Sequence, residues 1–201
     1  GSDLSDISTQ GVLALGCGNP VALASLRSDE VVLDLGSGTG LDCFLAANQV
    51  GPRGKVIGID FTGDMLERAM ENSSKQECTN VLFICGDIEE LPLAERVVDV
   101  VLSNCVINLT ADRDAVFREA FRVLRVGGRL MVSDIVLCRE PKIDEVEDFM
   151  RETNCISGSL VVEEYLSKIL AAGFSDVSYT VQRPPGRDQF WFSGSMSATK
   201  V

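Results

Sequence analysis

The run Val31-Val32-Leu33-Asp34-Leu35-Gly36-Ser37-Gly38-Thr39-Gly40 constrains this chain more than any other stretch. An apolar, β-branched segment enters a loop with glycine at every second position, and Leu41–Val50 follows with apolar residues at helical spacing. Strand, glycine loop and helix in that order open a parallel α/β unit, and such a loop lets a ligand lie against bare backbone where a side chain would block it. The spacing narrows the choice of ligand. A dinucleotide fingerprint, G-x-G-x-x-G, needs glycine at position 41; Leu41 stands there, and the third glycine comes one residue early.

Short apolar runs alternate with helical patterns along the rest of the chain. Strands are predicted at Val31–Leu35, Lys55–Ile59, Val81–Ile84, Val97–Ser103, Arg129–Asp134, Val177–Val181 and Phe190–Met196. The first five are nearly continuous apolar runs, as strands covered on both faces are. Helices are predicted at Leu41–Val50, Gly63–Ser73, Asp112–Leu124 (stopped by Gly127-Gly128), Asp144–Glu152 and Val162–Ala172. This alternation predicts an α/β fold: a doubly wound, mostly parallel seven-stranded sheet with helices on both faces. Only Gln182–Gln189, containing Pro184-Pro185-Gly186, separates the last two strands, so the last one should run antiparallel. Residues 1–134 then form the ligand-binding core, 135–160 a substrate-side insertion, and 161–201 the final helix and closing hairpin of the same domain.

Composition excludes several classes. The 201 residues are 45% hydrophobic, enough for one real core, and no apolar run approaches the ~18 residues that span a bilayer, so no membrane partner is expected. Residues 1–16 show no basic leader with a long apolar segment, and Gly1-Ser2 has the look of a cloning remnant. A net charge of −12 argues against nucleic acid as a partner. Seven cysteines, an odd number without a C-x-x-C pair, read as reduced thiols of a cytoplasmic protein. Histidine is absent, which removes the commonest general base and every Ser-His or Cys-His nucleophile pair.

Ligands of such sheets sit at the carboxyl ends of the strands. Asp60 ends the second predicted strand at the distance expected of a ribose-binding carboxylate, its bland alternative being a helix N-terminal residue. Asp87 and Ile88 follow the third, placed to meet an adenine amine and ring nitrogen or to form an ordinary turn. Met65, one turn into the next helix, covers the adenine or packs in the core. The pattern D-x-G-x-G-x-G resembles the cofactor loop of S-adenosylmethionine (SAM) dependent methyltransferases. That resemblance implies SAM as cofactor, held by Asp34, Gly36, Ser37, Gly38, Thr39 and Gly40, with Asp60 and Phe61 at the ribose. Asn104, ending the fourth strand, faces the cofactor or makes strand-end hydrogen bonds. Acidic walls suit a ligand that carries a sulfonium and an ammonium.

A narrower resemblance rests on Gly16-Cys17-Gly18-Asn19-Pro20, Asp42-Cys43 behind the loop, Gly58-Ile59-Asp60, Ser103-Asn104-Cys105-Val106-Ile107-Asn108-Leu109, Arg122-Val123-Leu124 with Gly127-Gly128, and Glu152-Thr153-Asn154-Cys155. Together these resemble the arsenite methyltransferases, which methylate trivalent arsenic using SAM. The resemblance implies that Cys105 and Cys155 are the catalytic residues and the arsenic(III) ligands. It also implies that arsenite or its thiol adducts (glutathione or similar) are the substrate, and that a thiol reductant takes part. Soft trivalent arsenic prefers sulfur. It keeps a lone pair after binding thiolates, so the nucleophile needs no deprotonation. Cys43, Cys78, Cys85 and Cys138 are expected to pack as small apolar side chains, and Cys17 is left between packing and a cofactor-side role. The family's further cysteine upstream of G-C-G-N-P has no counterpart in residues 1–16, so a third arsenic ligand comes from outside this sequence or from exogenous glutathione or hydroxide. The alternatives are a small-molecule C- or O-methyltransferase with Cys105 merely packed, and a non-catalytic protein that binds SAM or arsenic.

Overall fold

The computed structural model describes residues 19–142, 145, 158–182 and 190–201. Cys17, Cys155, nearly all of the predicted helix Asp144–Glu152 and the Pro184-Pro185-Gly186 turn lie outside the described residues. In chain order the described elements are α1 (Pro20–Leu23), β1 (Val31–Leu35), α2 (Leu41–Val50), β2 (Lys55–Asp60), α3 (Gly63–Lys75), β3 (Val81–Cys85), β4 (Val98–Asn104), a 3-10 turn (Ile107–Leu109), α4 (Arg113–Val123), β5 (Leu124–Leu137), α5 (Val162–Ala171), β6 (Ser175–Gln182) and β7 (Trp191–Thr199).

The strands form one seven-stranded sheet in the order β3-β2-β1-β4-β5-β7-β6. β1 through β5 are parallel neighbours, and β7 runs antiparallel to both β5 and β6, as the short gap before it required. Alternation along the strands separates two cores. Leu33, Leu35, Ile59, Val101 and Val132 point to one face, where α4 contributes Phe117 and α5 contributes Tyr165 and Ile169. Val32, Val56, Val100 and Met131 point to the other, under Val21 of α1 and Cys43, Ala46, Ala47 and Val50 of α2.

Three of the differences from the sequence expectation have a clear physical cause. β3 is an edge strand with no fully buried residue, and Leu82 is 57% exposed, so it is not covered on both faces. α4 stops at Val123 because Leu124 already pairs with Val98 as strand; a bulge follows, with Gly127 at φ 80°, before Arg129 pairs with Val100. β5 then runs on to Leu137, past the predicted end at Asp134, because β7 pairs with it continuously from Arg129 to Leu137.

The chain winds outward from β1 through β2 to β3, then returns to lay β4 on the other side of β1. Strand order reverses at the β1–β4 junction, which is where open α/β sheets bind ligands. Leu35 pairs with Ser103, so the glycine loop after β1 and Asn104-Cys105 at the end of β4 leave the sheet side by side.

Candidate functional site

The glycine loop is pinned from beneath. The amides of Gly36 and Ser37 donate to the Ile59 carbonyl at 2.8 and 2.9 Å, and the Gly38 amide donates to Asp60 Oδ2 at 2.8 Å. Asp60 Oδ1 accepts from Thr62 N at 2.8 Å, so one buried carboxylate ties the loop to the start of α3. Asn72 of α3 donates to the carbonyl of Thr39, an exposed residue of the loop. Glycine is required at two places. Gly36 has φ 69°, and a Cβ there would collide with the Val106 side chain. Gly40 has φ 90°, and a Cβ would meet the rings of Phe83 and Phe44. Nothing stands within 4 Å of the corresponding position at Gly38, which leaves that face of the loop open.

A cleft of about 280 Å³ opens beside this loop. Gly36, Asp60, Phe61, Asp87 and Ile88, all expected from the sequence, line it together with Glu89, Val106, Leu109, Thr110 and Ala111. Phe61 is 78% exposed and Leu109 60%, so the cleft presents two apolar side chains to the outside. Asp87 Oδ1 accepts from Glu89 N at 2.8 Å. Glu89 Oε1 in turn accepts from the amides of Ala111 and Asp112, bridging the loops after β3 and after the 3-10 turn. Met65 lies on the exposed side of α3, outside the cleft lining. Ser37 is buried, and its hydroxyl is without a hydrogen-bond partner.

Behind the loop sits an acidic cluster. Asp34 is 2% exposed and lies below the cleft, its Oδ2 accepting from Cys43 Sγ at 3.2 Å. Burial pushes the Asp34 carboxyl well above its ordinary range, and the charges of Asp42 and Asp60 push the same way. Asp42, in the first turn of α2, is also pushed up by burial, against the hydrogen bond that Asn104 Nδ2 donates at 2.9 Å. Asp42 and Glu89 were not expected as site residues. Position carried a signal for Asp42, an acid in the first turn of the helix that the glycine loop opens. Glu89 had none, since its role depends on two loops meeting in space.

Cys105 follows Asn104 directly, is half-buried, and has φ 58°, a left-handed backbone. It packs against the small apolar cluster of Ile135, Leu137 and Phe190. Cys105 is disulfide-bonded, so the expectation that all cysteines are reduced thiols does not hold for it. Cys43, Cys78 and Cys85 carry free thiols. Only Cys43 is buried as expected; Cys78 is intermediate, and Cys85 and Cys138 are exposed because they end the edge strand β3 and follow the end of β5. Among the described residues no group of three or more Cys, Asp or Glu side chains forms a metal site, and no helix is long and apolar enough to cross a membrane.

Behind the Cys105 turn, Asp134 is fully buried, accepting from Asn108, the Ile135 amide and Tyr165. Burial pushes its carboxyl up to about 7, against those hydrogen bonds and the nearby Arg113 charge. The folded chain therefore holds this proton to a higher pH than the unfolded chain does. Stability falls as pH rises from near the ordinary value of 3.8 to about 7, then levels off. In Asp134→Asn, unfolding by denaturant across that window should lose up to about 1.4 kcal/mol per pH unit of this slope. An unchanged slope would show that Asp134 does not titrate there.

A family model described as a methyltransferase domain matches residues 26–173. Arsenite methyltransferase of Halobacterium salinarum is 46% identical over 176 residues, covering 87% of this chain and 45% of that protein. The human arsenite methyltransferase is 39% identical, covering 71% of this chain and 40% of its own length. The chain thus spans about half, or less, of the curated relatives it matches. Among solved structures, CrArsM of Chlamydomonas reinhardtii, an arsenic(III) S-adenosylmethionine methyltransferase, aligns over 98% of this chain and 71% of its own, with a TM-score of 0.78 at 29% identity. A phosphoethanolamine N-methyltransferase of Haemonchus contortus shares the fold at 16% identity and a TM-score of 0.77. With its sheet order, its glycine loop and a family match over most of its length, the chain belongs to the methyltransferase domain family, in the fold class of the SAM-dependent enzymes.

Proposed function

We propose that this chain is the SAM-binding, arsenic-methylating part of an arsenite methyltransferase. The observation that carries the reading is the adjacency of Cys105 to the glycine loop: they leave neighbouring strands, and Val106 packs on Gly36. The residues suit the cofactor. The open face of Gly38, the backbone cradle at Gly36 and the Asp60 carboxylate suit a ligand with a flat base, a fixed sulfonium charge and an ammonium. Bound SAM supplies an electrophilic methyl group. Asp60 and Phe61 would hold the ribose, Asp87 and Ile88 the adenine, and Asn104 the methionine end.

Cys105 and Cys155 would hold arsenic(III), with residues 135–160 forming the acceptor side. Two thiol protons leave with two arsenite hydroxyls as two waters, and a third ligand, glutathione or hydroxide, remains on arsenic. The lone pair of arsenic is the nucleophile. It needs no base, in accord with a chain that has no histidine. The protein contributes alignment of the lone pair with the methyl carbon, an effect worth up to about 7–11 kcal/mol. Cys105 is disulfide-bonded, and that bond must open before its sulfur can take arsenic. Freeing the pair takes two electrons and two protons from a thiol reductant, as a reducing cytoplasm provides.

Arsenite, SAM and excess thiol should yield methylated arsenic in a coupled assay. Methylation of a phenolic or quinol acceptor instead, with arsenic untouched, would contradict the reading. Gly38→Trp fills the open face of the loop and should weaken SAM binding by about two orders of magnitude, with arsenite binding intact. Calorimetry with each ligand checks this, and undiminished SAM affinity would place the cofactor elsewhere.

A further inference from the structure

We infer that Asn108 is a positioning residue, which fixes the backbone of Cys105 and couples it to the chain that follows Cys155; the inference rests on the arsenite reading and deepens it. Cys105 has φ 58°, a conformation that a residue with a side chain adopts rarely and keeps only when its surroundings hold it. The turn is gripped at both ends by consecutive residues of β5. Upstream, the Cys105 amide donates to the Ser133 carbonyl at 2.9 Å. Downstream, Asn108 Nδ2 donates to Asp134 Oδ1 at 2.8 Å and to the Ile135 carbonyl at 2.7 Å, and its amide donates to Asp134 Oδ2 at 3.2 Å.

Asn108 is 2% exposed and is not part of the cleft lining. Its carboxamide nitrogen donates to these two acceptors of β5 and, at 3.4 Å, to Ser159 Oγ. Aspartate in its place would set oxygen against a carboxylate and a carbonyl, and alanine would release the grip. Its own carbonyl accepts from Arg113 Nη2 at 3.1 Å, and the same nitrogen donates to the Gly158 carbonyl at 2.6 Å. Gly158 lies three residues beyond Cys155 in the sequence. A Cβ on Gly158 would collide with the Asn108 carbonyl and the Arg113 guanidinium, so this junction admits glycine alone. Asn108 therefore joins the turn carrying one proposed arsenic ligand, the strand behind it, and the chain leaving the other.

The test compares the unmodified chain with Asn108→Ala and, as a second route to the same junction, Gly158→Ala. Three quantities are read: arsenite affinity of the reduced protein, SAM affinity, and the glutathione ratio at which the Cys105 disulfide is half reduced. Both variants should bind arsenite at least about ten-fold more weakly and lose a similar factor in the stability of the disulfide, with SAM affinity within about two-fold. A parallel fall in SAM affinity and melting temperature would make Asn108 merely structural and overturn the inference. So would variants in which neither arsenite affinity nor the disulfide equilibrium moves. The disulfide readout involves no arsenic. If it shifts while the unmodified chain ignores arsenite, the positioning role stands and the arsenite reading falls.

Discussion

Cys105→Ser should abolish high-affinity arsenite binding, a loss of at least about two orders of magnitude, and leave SAM affinity within a factor of about two. Serine keeps the size and the left-handed backbone at this position, so the change is confined to the donor atom. A neutral hydroxyl is a hard, weak ligand for a soft centre, and the remaining thiol cannot chelate alone. The cofactor side should not notice, because the loop is held by Ile59 and Asp60 and touches the turn through Val106, not Cys105. Calorimetric titration of the reduced variant with arsenite and with SAM separates the two effects. Retained arsenite affinity would remove Cys105 from the site; joint loss of both affinities would mean that the turn, not the thiol, was broken.

Asp60→Ala should cost SAM binding about 1–3 kcal/mol, about five-fold to more than a hundred-fold in affinity. The carboxylate already does two things in the protein: it accepts from the Gly38 amide and from the Thr62 amide, each at 2.8 Å. Its loss removes the proposed ribose acceptor and frees two backbone donors, so the loop is also less well ordered before a ligand arrives. Asp60→Asn retains one acceptor and should fall between the two. Unchanged affinity in Asp60→Ala would exclude the ribose role.

Much of this architecture was legible because it is local. The bounds of β1 and α2 and the loop between them follow from β-branched residues, alternate glycines and helical spacing within a single stretch of chain. The antiparallel β7 followed from a short connection. What escaped was decided by distant partners. Nothing within Val81–Cys85 shows that it lies at the sheet edge, so Cys85 was expected to pack and is exposed. β5 outran its predicted end because β7 extends the ladder to Leu137. Asp42 acquires its role from Asn104, across the β1–β4 junction, and Asp134 from residues on α5 and the Cys105 turn. The left-handed backbone of Cys105 has no sequence signature, since cysteine is not a residue that favours it.

Counting thiols shows whether Cys105 and Cys155 together receive the metalloid beside the methyl donor. The reduced chain is titrated with arsenite, the unprotected cysteines are alkylated, and the labelled positions are mapped by mass spectrometry. One equivalent of arsenic should protect Cys105 and Cys155, while the exposed Cys85 and Cys138 are alkylated in full. Protection of any other pair, or alkylation of Cys105 at saturating arsenite, would contradict it.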